Sequence, residues 1–244
     1  MIEPGLFALA GLAVGALANI PVERLPAGIL AAERHEMENS ASASPKGPSA
    51  GWRAGRRLFL GVATAGLFAL AASRFGDDWL RAASAATFAA VFLALAVVDL
   101  EHQLLPDMIV LPALVLGLAV SPFYGHLAPW DGALGAAVGF AVFLPIWGWA
   151  LLTGREGRIM GFGDLKFTAM MGAALGLQFL GVALYAGVLL GGLVAACLLL
   201  GRALAPRVLG RVRVMPYGTF LAVGGIIALF YGRPIVDRVL DFLA

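Results

Sequence analysis

Cysteine is almost missing from this chain: Cys197 is the single one among 244 residues, and it lies inside an apolar run. One cysteine forms no intrachain disulfide, and without a CxxC pair there is no thiolate framework for zinc. Cys197 reads as a small apolar packing residue. Charge is also scarce, at 13% Asp, Glu, Lys and Arg, against about a quarter in an ordinary soluble domain. Of the three histidines, His35 falls in a polar stretch and His126 in a turn, and neither has a partner at metal-ligand spacing. No Ser/His/Asp arrangement, P-loop or convincing dinucleotide fingerprint is visible. The small basic excess, with a pI of about 9.0, reads as a topology signal and not as a nucleic-acid footprint.

What the chain has is hydrophobicity. Apolar residues make up 61% of it and the mean hydropathy is +0.90. This predicts an all-α polytopic membrane protein whose apolar surface faces lipid and neighbouring helices. We predict eight spans, at 6–20, 58–72, 79–98, 108–124, 132–152, 164–176, 179–200 and 216–231. The first is not a signal peptide by pattern, because Glu3 precedes it and the basic residues follow it. Segment 21–57 is polar, with a Ser/Pro/Gly-rich part, and reads as a loop inserted between the first two spans of a single domain, 1–244. Of the 17 Lys and Arg residues, 13 fall on one side of this arrangement, including Arg155, Arg158, Lys166, Arg207, Arg211 and Arg213. By the positive-inside rule that side is cytoplasmic and both termini lie outside. Merging the sixth and seventh spans would break the alternation. Glycines recur at four-residue spacing, as in Gly11/Gly15, Gly135/Gly139, Gly172/Gly176 and Gly187/Gly191, and read as close helix packing.

Against this background Asp99 and Asp164 stand out. Asp99 ends the third predicted span, in Val97-Val98-Asp99-Leu100-Glu101-His102. Asp164 opens the sixth, in Gly161-Phe162-Gly163-Asp164. The topology puts both at cytoplasmic helix ends. A carboxylate at a membrane boundary is costly and marks a functional site by default. Two carboxyl groups held close share a proton instead of both ionising, so one draws a proton from water while the other donates to a scissile carbonyl. Gly161 and Gly163 would let backbone approach closely. Each residue also has a bland reading. Asp164 could be a helix N-cap after a glycine turn, and Asp99 the polar end of a span. Asp107, after Pro106, reads as an N-cap. Glu101 and His102 read as substrate contacts, tuning groups or solvated loop residues. Lys166 reads as a side chain reaching the interface.

Four stretches carry a resemblance. They are Gly15-Ala-Leu-Ala-Asn19 through Arg24-Leu25-Pro26, Asp99-Leu-Glu-His-Gln-Leu-Leu-Pro106-Asp107, Gly161-Phe-Gly163-Asp164-Leu-Lys166, and Met215-Pro216-Tyr217-Gly218-Thr219-Phe220-Leu221-Ala222. In order and position they resemble the bacterial type IV prepilin peptidases, membrane aspartic proteases of the GxGD class, over almost the whole chain. The resemblance implies that Asp99 and Asp164 are the catalytic pair. It implies a prepilin or type II secretion pseudopilin substrate, with its short basic leader cut at the cytoplasmic face of the inner membrane. Many relatives also N-methylate the new N-terminus with S-adenosylmethionine, although no residue here is assignable to that cofactor. Many carry two CxxC pairs in the first cytoplasmic loop. This chain has none there, so no zinc is expected. A proton-coupled transporter using the same aspartates is the reading from another class. Against it stands their position at helix ends, whereas coupling sites lie near the midplane.

Overall fold

The structure, a computed structural model, describes residues 3–24, 50–123, 128–154, 161–204 and 216–243. Most of segment 21–57, with His35, and also His126, Arg155, Arg158, Arg207, Arg211, Arg213 and Met215, lie outside the described residues. Among the described residues the regular structure is entirely helical. That follows from the long apolar runs, since in lipid a helix satisfies its own backbone. The chain divides into two compact units, 1–86 and 87–244.

In the first unit, α1 (Pro4–Arg24) pairs with α2 (Ala50–Phe75). A Cβ on Gly11 would stand 2.8 Å from Cα of Ala65, and one on Gly15 would stand 2.9 Å from Cα of Gly61. The register makes the two helices antiparallel, with backbones closer than any larger side chain would allow. Phe7 and Phe68 close the same seam, ring centroids 6.0 Å apart. The start of α3 (Trp79–His102) is capped by Asp78, whose Oδ1 accepts the Arg81 N–H at 3.0 Å.

The second unit contains the rest of α3, α4 (Asp107–Val120), a 3-10 turn (Ser121–Phe123), α5 (Asp131–Leu152), α6 (Phe162–Leu204) and α7 (Tyr217–Leu243). Its core is built on α3, where Phe88, Phe92, Leu95 and Val98 are fully buried. Buried side chains make up 72% of the most apolar window of α3, against 17–39% in the other membrane-length helices. An apolar helix covered all round is the inner one. Phe92 meets Phe167 of α6 edge-on at 6.1 Å.

Helix α6 has 43 residues. Drawn straight it would be about 65 Å long, roughly twice a hydrocarbon core of ~30 Å. It breaks at Gly176, where φ is 73° and ψ 170°, a conformation that only glycine adopts without strain. Packing shows that the chain reverses there. Before the break, Thr168 lies on Gly139 and Gly172 on Gly135, so the first limb is antiparallel to α5. That limb is parallel to α7: Tyr217 stands within electrostatic reach of Asp164, and Gly225 lies against Met171. After the break, Ala183 lies on Gly224 and Gly187 on Leu221, so the second limb is antiparallel to α7. The two limbs therefore run in opposite directions.

Five described helices are long and apolar enough to cross a membrane, α6 counted once, and Pro4–Ala16 and Asp107–Phe123 are shorter apolar helices. Several helix ends differ from the sequence expectation. Helix α3 runs on to His102, so Asp99, Glu101 and His102 are helical and not in a loop. Helix α7 continues to Leu243, past the predicted end at Tyr231. Hydropathy marks where apolar composition stops, whereas a helix stops where its backbone is capped.

Candidate active site

Two helix ends and three helix starts in the second unit bring the acidic residues together. Helix α3 ends one turn after Asp99. Gln103 takes the left-handed conformation, φ 54°, and its N–H bonds the Asp99 carbonyl at 2.8 Å. The extended Leu105-Pro106 follows, as a residue before proline favours, and α4 starts at Asp107. Leu105 lies against Gly163, where an added Cβ would stand 3.3 Å from the Leu105 Cβ. This brings the beginnings of α4 and α6 side by side.

Helix α6 begins at Phe162, so Asp164 sits inside its first turn and is not the N-cap. Its Oδ2 instead reaches back to accept the Gly161 N–H at 3.2 Å. This is the returning arm of a capping box, made here by aspartate. Phe162 packs against Trp147 at 5.2 Å and Phe140 at 6.2 Å, which anchors the turn to the end of α5. The Thr168 hydroxyl, one turn on, lies 2.8 Å from the Gly139 carbonyl.

Asp99 is 5% exposed. A buried carboxylate needs donors, and the start of α7 supplies them. The Thr219 N–H donates to Asp99 Oδ2 at 2.6 Å, and Thr219 Oγ1 lies 3.0 Å from the same oxygen. Gly218 makes the approach possible, since a Cβ there would stand 3.0 Å from the carboxyl carbon of Asp99. The Asp99 and Asp164 carboxylates are close enough to feel each other's charge. Tyr217, edge-on to Phe143 at 5.9 Å, borders Asp164.

The other predicted residues are placed as follows. Asp107 is the first residue of α4, with Pro106 at the N-cap, and its side chain caps nothing. It pairs with Lys166, Nζ to Oδ2 2.6 Å. Lys166 also lies over the Phe162 ring at 4.8 Å, so it ties α6 to α4 instead of reaching for the interface. Glu101 and His102 are not solvated: their side chains are 6% and 16% exposed, with Oε2 and Nε2 3.7 Å apart. Gly161 and Gly163 are half-buried. Gly218 and Thr219 were quoted in the sequence only as part of a motif. Their contact with Asp99 spans 120 positions, and no local pattern reports it. Among the described residues no group of three His, Cys, Asp or Glu is assembled that could hold a metal.

A bundle of apolar helices with two carboxylates brought to one end defines a multi-pass helical membrane protein with an acidic site. Residues 86–200, which hold both aspartates, match the sequence model of the Type IV leader peptidase family. The chain is 37% identical over 183 residues to a prepilin leader peptidase/N-methyltransferase of Pseudomonas aeruginosa, covering 74% of this chain and 60% of that relative. It is 42% identical over 151 residues to one of Pseudomonas putida and 40% over 146 residues to one of Aeromonas hydrophila, each match covering 59% of this chain and 48% of the relative. The chain thus spans about half to three-fifths of the length of these curated relatives. No solved structure matches.

Proposed function

We propose that this protein is an aspartic endopeptidase of the bacterial inner membrane that removes the short basic leader of type IV prepilins or type II secretion pseudopilins. The observation that carries the reading is the convergence of Asp99 and Asp164, from two different apolar helices, within the segment that matches the leader peptidase family. In this reading the two carboxyls hold one proton between them. The ionised partner takes a proton from water, whose oxygen attacks the scissile carbonyl. The protonated partner donates to the carbonyl oxygen and later to the leaving amine. The pair works as a unit, so neither role is tied to one residue.

The positive-charge bias supports a cytoplasmic site and eight spans with both termini outside. Counting the two limbs of α6 separately, as their reversal favours, gives eight α-helical segments among the described residues. Lys166 and Asp107 tie the start of α6 to that of α4, and Glu101 and His102 lie together at the end of α3.

The relatives' name includes an N-methyltransferase. The donor for that chemistry, S-adenosylmethionine, needs a polar cradle for its adenosine and amino-acid ends. Among the described residues the polar side chains at this end are engaged with one another, and no cradle for that group is recognisable.

The test is cleavage of a synthetic prepilin segment, basic leader plus hydrophobic stretch, by the purified protein in lipid nanodiscs, with the products weighed by mass spectrometry. The reading expects one cut, just before the hydrophobic stretch. An inert wild type, or cuts scattered through the leader, would refute it.

A further inference from the structure

We propose that Thr219 is a positioning residue for Asp99 that directs the pair's shared proton to Oδ1 of that carboxylate; this rests on the peptidase reading above. The inner oxygen, Oδ2, faces the first turn of α7. The Thr219 N–H, 2.6 Å away, fills one lone pair. The Thr219 hydroxyl, 3.0 Å away, is placed to fill the other. A carboxylate oxygen that accepts two donors in its own plane has no vacant site for a proton, so a proton on Asp99 resides on Oδ1. At Asp164 the single Gly161 N–H engages one lone pair of Oδ2 and leaves the other open. Oδ1 is thus the working oxygen of Asp99, whereas Asp164 keeps both oxygens available.

The hydroxyl carries one hydrogen and has two acceptors at equal distance, Asp99 Oδ2 and the Ala96 carbonyl, each at 3.0 Å. When Asp99 is ionised the charge draws the hydroxyl hydrogen, because hydrogen bonds to charged acceptors are the stronger ones. When Asp99 is protonated on Oδ1 that advantage falls, and the hydroxyl is free to turn to Ala96. The donor set therefore follows the charge on Asp99 through the catalytic cycle without moving backbone. Gly218 is part of the device, since its missing side chain lets the carboxylate lie on the helix start.

The experiment measures kcat and KM for cleavage of the prepilin segment by wild type, Thr219→Val and Thr219→Ser, with thermal unfolding of each in the same lipid. Losing one charge-assisted donor is expected to lower kcat about 10- to 100-fold in Thr219→Val with KM within about 2-fold. Thr219→Ser keeps the hydroxyl and should stay within about 3-fold of wild type. Should Thr219→Val not fold, Thr219→Ala set against Thr219→Ser makes the same comparison. Wild-type kcat in the hydroxyl-less variant, a loss confined to KM, or equal losses in the valine and serine variants would overturn the proposal. Asp99→Asn and Asp164→Asn run alongside. If they cleave normally, the dyad itself fails and the role of Thr219 with it. If they are inert while Thr219→Val is normal, only the role of Thr219 fails.

Discussion

Gln103 closes the last turn of α3 at the cost of a left-handed backbone that a side chain disfavours. Gln103→Gly should therefore stabilise the protein by about 1 kcal/mol, and Gln103→Val should destabilise it; thermal unfolding in detergent checks both. Lys166 and Asp107 form a pair with side chains 25% and 40% exposed, so screening limits its worth. Lys166→Met should cost about 1 kcal/mol or less, and a double-mutant cycle with Asp107→Asn reads the coupling. At this scale the two aspartates were legible in the sequence, because a carboxylate at the end of an apolar run needs a reason to be there. Their neighbours were not. Asp107 was misread as a cap because Pro106-Asp107 is a local pattern, whereas its partner lies 59 positions away. Thr219 was invisible for the same reason at twice that distance.

Among the elements, α6 shows how glycine sets the architecture. Gly176 holds a backbone conformation closed to other residues, and Gly176→Ala should cost about 1–3 kcal/mol, seen as a lower unfolding temperature. Gly172 packs backbone to backbone against Gly135. Gly172→Val forces that seam open and should reduce the yield of folded protein, with at least about 2 kcal/mol lost; size-exclusion profiles in detergent would reveal it. The paired glycines and the gap before Phe179 were readable, since four-residue spacing and charge alternation are one-dimensional signals. The sense in which the limbs pack, with α5 on the first and α7 against both, was not, because it depends on which distant helix supplies the matching notch. Helix ends lie past the apolar runs at His102 and Leu243, because a helix can outlast its apolar composition.

With Cys197→Ala as background, Arg158→Cys and Arg211→Cys should react with an impermeant maleimide only once the cytoplasmic side is opened. Arg233→Cys should react from the outside in intact cells. Reaction of Arg158→Cys or Arg211→Cys from the outside would reverse the orientation and remove a cytoplasmic site. The central claim is that Asp99 and Asp164 act as one catalytic unit, and the most direct test compares prepilin cleavage by Asp99→Asn, Asp164→Asn and the double variant, each confirmed as folded. Each single variant should be as inert as the double, because removing either member removes the shared proton. Near-normal cleavage by either single variant would contradict it.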